Sequence, residues 1–300
     1  MKQIVIAIFS LFIFQIGFCQ SKESNITEIL NISYLEKDQI AVDSLQRLNL
    51  VLPTNKTTCP LFIWIGGGAW AFVDRHKEMV VARKLAEQGI AVASIGHRLS
   101  PATWQDPKFD KGIEHPKHVE DVAMAIKWLY DNASNYVYDK EQIFIGGYSC
   151  GAHLSALVSL DDTYLNNVGL SQKVIKGAIP ISGAYDIIKY HDGFLEGSRP
   201  ELAELHVKGV FGQTMEQLSQ ASPTNYIEKD EMPLLIITDS QVGRYTKPFE
   251  DKLIEKEYTD VQVIYDYSRN HKTLWEALSS EESTIYRDLI LDFIQRNIRS

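Results

Sequence analysis

Two hydrophobic rhythms alternate along this chain. In the first, short runs are almost wholly apolar: "PLFIWI" (60–65), "IAVASIG" (90–96), "QIFIGG" (142–147), "KGAIPISG" (176–183), "MPLLIIT" (232–238) and "VQVIYDY" (261–267). Their length and β-branched content predict strands buried on both faces. In the second, apolar residues recur at helical spacing. "HVEDVAMAIKWLYDNAS" (118–134) puts Val119, Val122, Ala123, Ile126 and Leu129 on one face, and "KEMVVARKLAEQG" (77–89) ends on a glycine suited to a left-handed cap. Further helices are predicted near 247–258 and over 283–298, and "ILNISYL" (29–35) with "QRLNLVLP" (46–53) reads as a leading strand pair. Repeated β-α alternation predicts a mostly parallel sheet covered by helices on both faces. One stretch, about 190–226, breaks the rhythm between two strands and is expected to be a small cap insertion.

One join stands out. The strand ending at Ile145 meets the small-residue helical run from Ala152 through Gly147-Tyr148-Ser149-Cys150-Gly151, a G-x-S-x-G. So abrupt a strand-to-helix turn strains the serine backbone, and glycines on either side remove Cβ atoms that would collide. It would lift the Ser149 hydroxyl to the sheet edge above a helix N-terminus. The pattern alone is common by chance; a strand before it and a helix after it make Ser149 a candidate nucleophile.

Composition narrows the setting. The 300 residues carry 30 basic and 39 acidic side chains, a net charge of −9, with no basic run. Nucleic acid and acidic membrane surfaces are therefore excluded as expected partners. The first 19 residues differ: Lys2, an apolar run from Ile4 to Phe14, then Gly17-Phe18-Cys19 read as a secretory signal cleaved after Cys19. The run is shorter than the roughly 20 residues a spanning helix needs, and Phe18 is too bulky to precede a lipidated cysteine. The expected mature chain, 20–300, is exported to the periplasm or medium as one domain without a membrane anchor. It keeps Cys59 and Cys150 at opposite ends of parallel strands, too far apart for a disulfide. His115 and His118 are three apart, but a proline separates them and no further ligands accompany them, so no metal site is expected.

Taken in order, "QRLNLVLP", "FIWIGGGAWAFVDR", "HRLSPA", "HVEDVAMAIKWLYDNA", "GYSCGAHL", "IPISGAYDI", "SPTNYI", "MPLLIIT" and "RNHKTLW" resemble an α/β-hydrolase of the esterase kind. The resembled group includes hormone-sensitive lipase, acetyl and feruloyl esterases, and kynurenine formamidases. The stretches cover nearly the whole mature chain, and "GYSCGAHL" and "HRLSP" are the most specific. The resemblance implies a catalytic triad and no cofactor. Ser149 would be the nucleophile and His271, after "VQVIYDY" on a loop at the sheet's carboxyl edge, the base. The acid would be a carboxylate shortly after "MPLLIIT". An ungapped count puts it at Val242, and Asp239 is the nearest carboxylate; Asp260, Asp266 and Glu250 are the fallbacks. The remaining histidines, His153 among them, and Asp121 are read as structural.

The oxyanion donors are expected at the amides of Cys150, Gly68 and Ala69. Relatives show H-G-G-G-W where this chain has "IGGGAW". Gly66 or Ile65 stands at the histidine, according to how the glycines are aligned, so a residue that helps hold that loop is missing. The expectation is an exported serine hydrolase cleaving short acyl, acetyl or feruloyl esters of carbohydrate through an acyl-enzyme. The alternatives are an arylformamidase-like amidase and a non-catalytic relative that uses the pocket only to bind.

Overall fold

The computed structural model describes residues 25–35, 45–228 and 232–298; the proposed signal segment lies outside them. Eight strands form one sheet: β1 (Ile26–Ser33), β2 (Arg47–Pro53), β3 (Cys59–Ile65), β4 (Ala91–Ile95), β5 (Tyr138–Tyr148), β6 (Ile175–Ile181), β7 (Leu234–Asp239) and β8 (Val261–Asp266). Their spatial order is β1-β2-β4-β3-β5-β6-β7-β8. The strand β2 runs antiparallel to both neighbours, and every pairing from β4 to β8 is parallel. This is the α/β-hydrolase architecture, a mostly parallel sheet with helices on both faces.

The all-apolar reading of the central strands follows from this order. Every residue of β3, β4 and β7 is buried, because each has a strand on either side and helices above and below. One face is covered by Lys117–Asn132, Cys150–Leu160 and Gly243–Glu255. The other is covered by Met79–Ala86, His271–Ser279 and Ile285–Asn297. The leading pair forms as expected, although β1 lies at the edge and is only half-buried.

Two departures from the sequence reading lie near the site. The helix near 247–258 begins at Gly243, four residues earlier, and carries Pro248 within it. Pro248 is its sixth residue, past the first turn, so the helix forgoes the i→i−4 bond that the amide of residue 248 would make to the Arg244 carbonyl. His271 is also not on a loop. It is the first residue of a helix whose N-terminus is closed by a capping box between Asn270 and Thr273. Between β6 and β7 the chain folds as short helices, Ile187–Leu195 and Met215–Gln220 with a π-helical stretch at Ala203–Lys208 between them.

An ion pair anchors the "HRLSP" stretch. Asp121, fully buried on its helix, accepts from the Arg98 side chain, the Arg98 amide and Gln46. A buried carboxylate is tolerable only when so fully partnered.

Candidate active site

The parallel strands β5 and β7 point their carboxyl ends at the same sheet edge, and the site assembles there. Ser149 follows β5 with φ 57° and ψ −117°, a conformation rarely taken by residues with a side chain. The glycines flanking it explain why the turn is possible. A Cβ on Gly151 would fall 2.1 Å from the Ile65 carbonyl, and one on Gly147 would fall 2.6 Å from that oxygen. The turn is therefore pressed directly against the end of β3.

His271 Nε2 lies 3.0 Å from Ser149 Oγ, and His271 Nδ1 lies 2.8 Å from Asp239 Oδ2. With the Nδ1 proton donated to Asp239, Nε2 is left to accept from the serine hydroxyl. Asp239 is the last residue of β7 and is buried. Burial alone would raise its carboxyl. Hydrogen bonds from His271 and from the Gln241 amide outweigh that and hold it below the ordinary aspartate value. The fallbacks stand elsewhere. Asp266 pairs in register with Asp239 but bonds Ser268 and Tyr286. Asp260 lies just before β8, where its carbonyl accepts from the Leu234 amide, and Glu250 accepts from Tyr265.

Two residues that hold His271 were not legible in the sequence. Tyr148 stacks on the imidazole at 4.9 Å between ring centres and donates its hydroxyl to the His271 carbonyl. Gln241 accepts from the His271 amide at 3.1 Å. Only the juxtaposition of β5, β7 and the His271 helix gives them a task.

The glycine segment after β3 approaches from the other side. Gly68 has φ 143°, while Ala69 and Trp70 have φ 52° and 58°, left-handed conformations in consecutive residues. Among the described residues none accepts a hydrogen bond from the amides of Gly68, Ala69 or Cys150. Donors left open beside a nucleophile suit a developing oxyanion. Trp70 fixes the far end: its indole N–H bonds His153 Nδ1 at 3.3 Å, and its carbonyl accepts from Ser100. His153 in turn donates from Nε2 to the Ala221 carbonyl at 2.7 Å, and burial holds it neutral with a pKa pushed down to about 3.

Two cavities meet at Ser149 and His271. One, of about 370 Å³, is lined by Gly67, Gly68, Glu78, Lys272 and Trp275 among others. The second, of about 610 Å³, lies under the helical insertion and takes Tyr190, Phe194, Arg199, Arg244 and Tyr245 into its wall. A group on each side of a scissile bond could occupy one cavity apiece. Among the described residues no cluster of three or more His, Cys, Asp or Glu side chains could hold a metal ion.

The BD-FAE family pattern matches residues 48–245, more than half of the chain. The chain belongs to the BD-FAE family. The chain is 29% identical over 217 residues to a probable carboxylic ester hydrolase of Mycobacterium tuberculosis, a match covering 69% of this chain and 47% of that protein. It is 24% identical over 195 residues to a kynurenine formamidase of Salmo salar, covering 65% and 58% respectively. The chain thus spans about half the length of the curated relatives it matches. Among solved structures, a truncated carbohydrate esterase from gut microbiota superposes with a TM-score of 0.70 at 20% identity, over 93% of this BD-FAE chain and 99% of that one. Esterase B from Lactobacillus rhamnosis superposes with a TM-score of 0.74 at 18% identity, over 92% and 87%. At those identities the superpositions establish the fold.

Proposed function

We propose that this protein hydrolyses carboxylic esters through a covalent acyl-enzyme formed on Ser149. The observation that carries the reading is the continuous hydrogen-bonded line from Ser149 Oγ through His271 to buried Asp239. In this reading His271 Nε2 takes the hydroxyl proton as Oγ attacks the ester carbonyl. Asp239 keeps the imidazole oriented and stabilises its protonated form without itself becoming protonated. The amides of Gly68, Ala69 and Cys150 receive the negative charge that develops on the carbonyl oxygen. His271 returns the proton to the departing alcohol, and a water activated by the same nitrogen then releases the acid.

Short acyl, acetyl or feruloyl esters of carbohydrate are the proposed substrates. The export signal read at the N-terminus supports this class, as does the fold shared with a carbohydrate esterase. The kynurenine formamidase relative favours a second reading, hydrolysis of an aryl formamide. Turnover of acetylated xylan, feruloyl esters and N-formylkynurenine side by side decides between them.

The serine mechanism is tested with a fluorophosphonate probe and a 4-nitrophenyl ester. The wild type is expected to take up the probe and turn over the ester. Ser149→Ala is expected to do neither while its thermal midpoint stays close to wild type. Wild-type turnover in Ser149→Ala would remove Ser149 from the mechanism, and an unlabelled, inert wild type would favour the binding-only reading.

A further inference from the structure

The segment that carries the Gly68 and Ala69 amides leaves β3 at Ile65 and has no side chains at 66, 67 and 68 with which to grip its surroundings. Its far end is tied down by Trp70. Its near end meets a buried carboxyl. A Cβ on Gly66 would fall 2.5 Å from both the carboxyl carbon and Oε1 of Glu78, and 2.6 Å from Cγ. The Glu78 side chain therefore lies directly on Gly66, in space that any larger residue at 66 would need. From its other oxygen the carboxyl is anchored to β3, accepting from the Trp64 indole N–H at 2.7 Å. Only 4% of Glu78 is exposed, and it lines the cavity that also holds Ser149 and His271.

We propose that Glu78, clamped between Trp64 and Gly66, is a positioning residue that holds the glycine segment so that its amides face Ser149. The role rests on the serine-hydrolase reading, and it requires the carboxyl to be neutral. A negative charge on the wall of that cavity would oppose the oxyanion the amides are meant to stabilise.

The surroundings favour the neutral form. Burial pushes the Glu78 carboxyl up to about 8, against the Trp64 hydrogen bond, which favours ionisation; Asp74 pushes the same way as burial and Lys77 opposes it. From the neighbouring elements, His271 and Lys272 line the same cavity, and the Tyr148 phenol and Cys150 thiol feel the Glu78 charge. The sign follows. Below about pH 8 the clamp is neutral and the oxyanion site works; above it the carboxylate forms and turnover falls.

Two measurements test this, one of them independent of catalysis. Hydrogen exchange is followed in peptides spanning residues 61–73, and kcat on 4-nitrophenyl acetate is followed from pH 6 to 9.5. Glu78→Ala is expected to speed exchange in that segment and to lower kcat by about tenfold to a hundredfold with KM little changed, the scale of an ångström of misplacement. Glu78→Gln, which keeps the shape and the acceptor for Trp64, is expected to restore slow exchange and wild-type kcat at pH 7. It should also lose the fall near pH 8 that the wild type shows. Unchanged exchange in Glu78→Ala would overturn the proposal, as would superimposable pH profiles of the wild type and Glu78→Gln. If Glu78→Ala does not fold, Trp64→Phe removes the anchoring N–H instead, and exchange in the segment must rise. An inert wild type whose exchange still responds to Glu78→Ala would sink the hydrolase reading and leave the clamp standing.

Discussion

At Ser149 a backbone penalty of about 1–3 kcal/mol is tolerated because the hydroxyl must stand proud of the turn. Neighbouring side chains then serve the imidazole that faces it. Tyr148 covers one side of the His271 ring, Gln241 holds its amide, and Asp239 holds Nδ1. Asp239 is itself fixed by the amides of Gln241 and Val242 at 2.8 and 3.0 Å, so its carboxylate cannot swing away. Asp239→Asn is therefore expected to lower kcat by about 10⁴, the scale of losing the group that sets the tautomer. Asp266→Asn, Asp260→Asn and Glu250→Gln are expected to stay within about tenfold, or 1.4 kcal/mol of barrier. Steady-state kinetics on one ester checks all four. A near-normal Asp239→Asn beside a collapsed Asp266→Asn would move the triad acid to β8.

At the scale of elements, the join between β5 and the helix Cys150–Leu160 is the tightest contact near the site. That helix is buried along its whole length. Its first turn lies against the end of β3, with the Cys150 thiol 3.6 Å from the Gly66 carbonyl. Neither partner has room to yield. Gly151→Ala would place a methyl 2.1 Å from the Ile65 oxygen, so the helix must shift. Overpacking of this kind costs about 1–3 kcal/mol, and a fall of several degrees in Tm is expected together with loss of turnover. Gly209→Ala, where a Cβ meets nothing within 4 Å, serves as the matched control and should leave Tm within about a degree of wild type or slightly above it. Equal Tm for both variants would show that the turn is looser than these distances require.

For the whole molecule, the sheet order keeps the two thiols apart. Cys59 opens β3 and Cys150 follows β5, a strand parallel to β3, so the two lie at opposite ends of the sheet. Both thiols are buried and free, and burial pushes the Cys150 thiol up to about 12. It is thus a thiol and not a thiolate beside Ser149, and in the proposed mechanism its part there is played by its backbone amide. Thiol titration in denaturant without reductant is expected to count two groups in the chain from Gln20 onward. A count of zero would contradict the parallel order of β3 and β5.

What the sequence by itself determined is what local periodicity and local sterics can encode. The apolar runs specify strands covered on both faces, and the G-x-S-x-G specifies a glycine-bounded turn, because both depend on residues adjacent in the chain. The Arg98–Asp121 pair was legible only as two motif fragments; the fold brought them within 2.6 Å as an ion pair. The choice among four carboxylates for the partner of His271 depended on which strands lie side by side at one sheet edge. That order is set by the long crossovers between parallel strands, which no spacing reports. His271 was legible as a position but not as the first residue of a capped helix. Glu78 was not legible at all, since in "RHKEMVVARK" it reads as an ordinary polar residue at a helix start. Its carboxyl fills the place left open at Gly66. Only the tertiary structure could decide that, because the groups Glu78 meets, Trp64 and Gly66, belong to β3 and the segment leaving it.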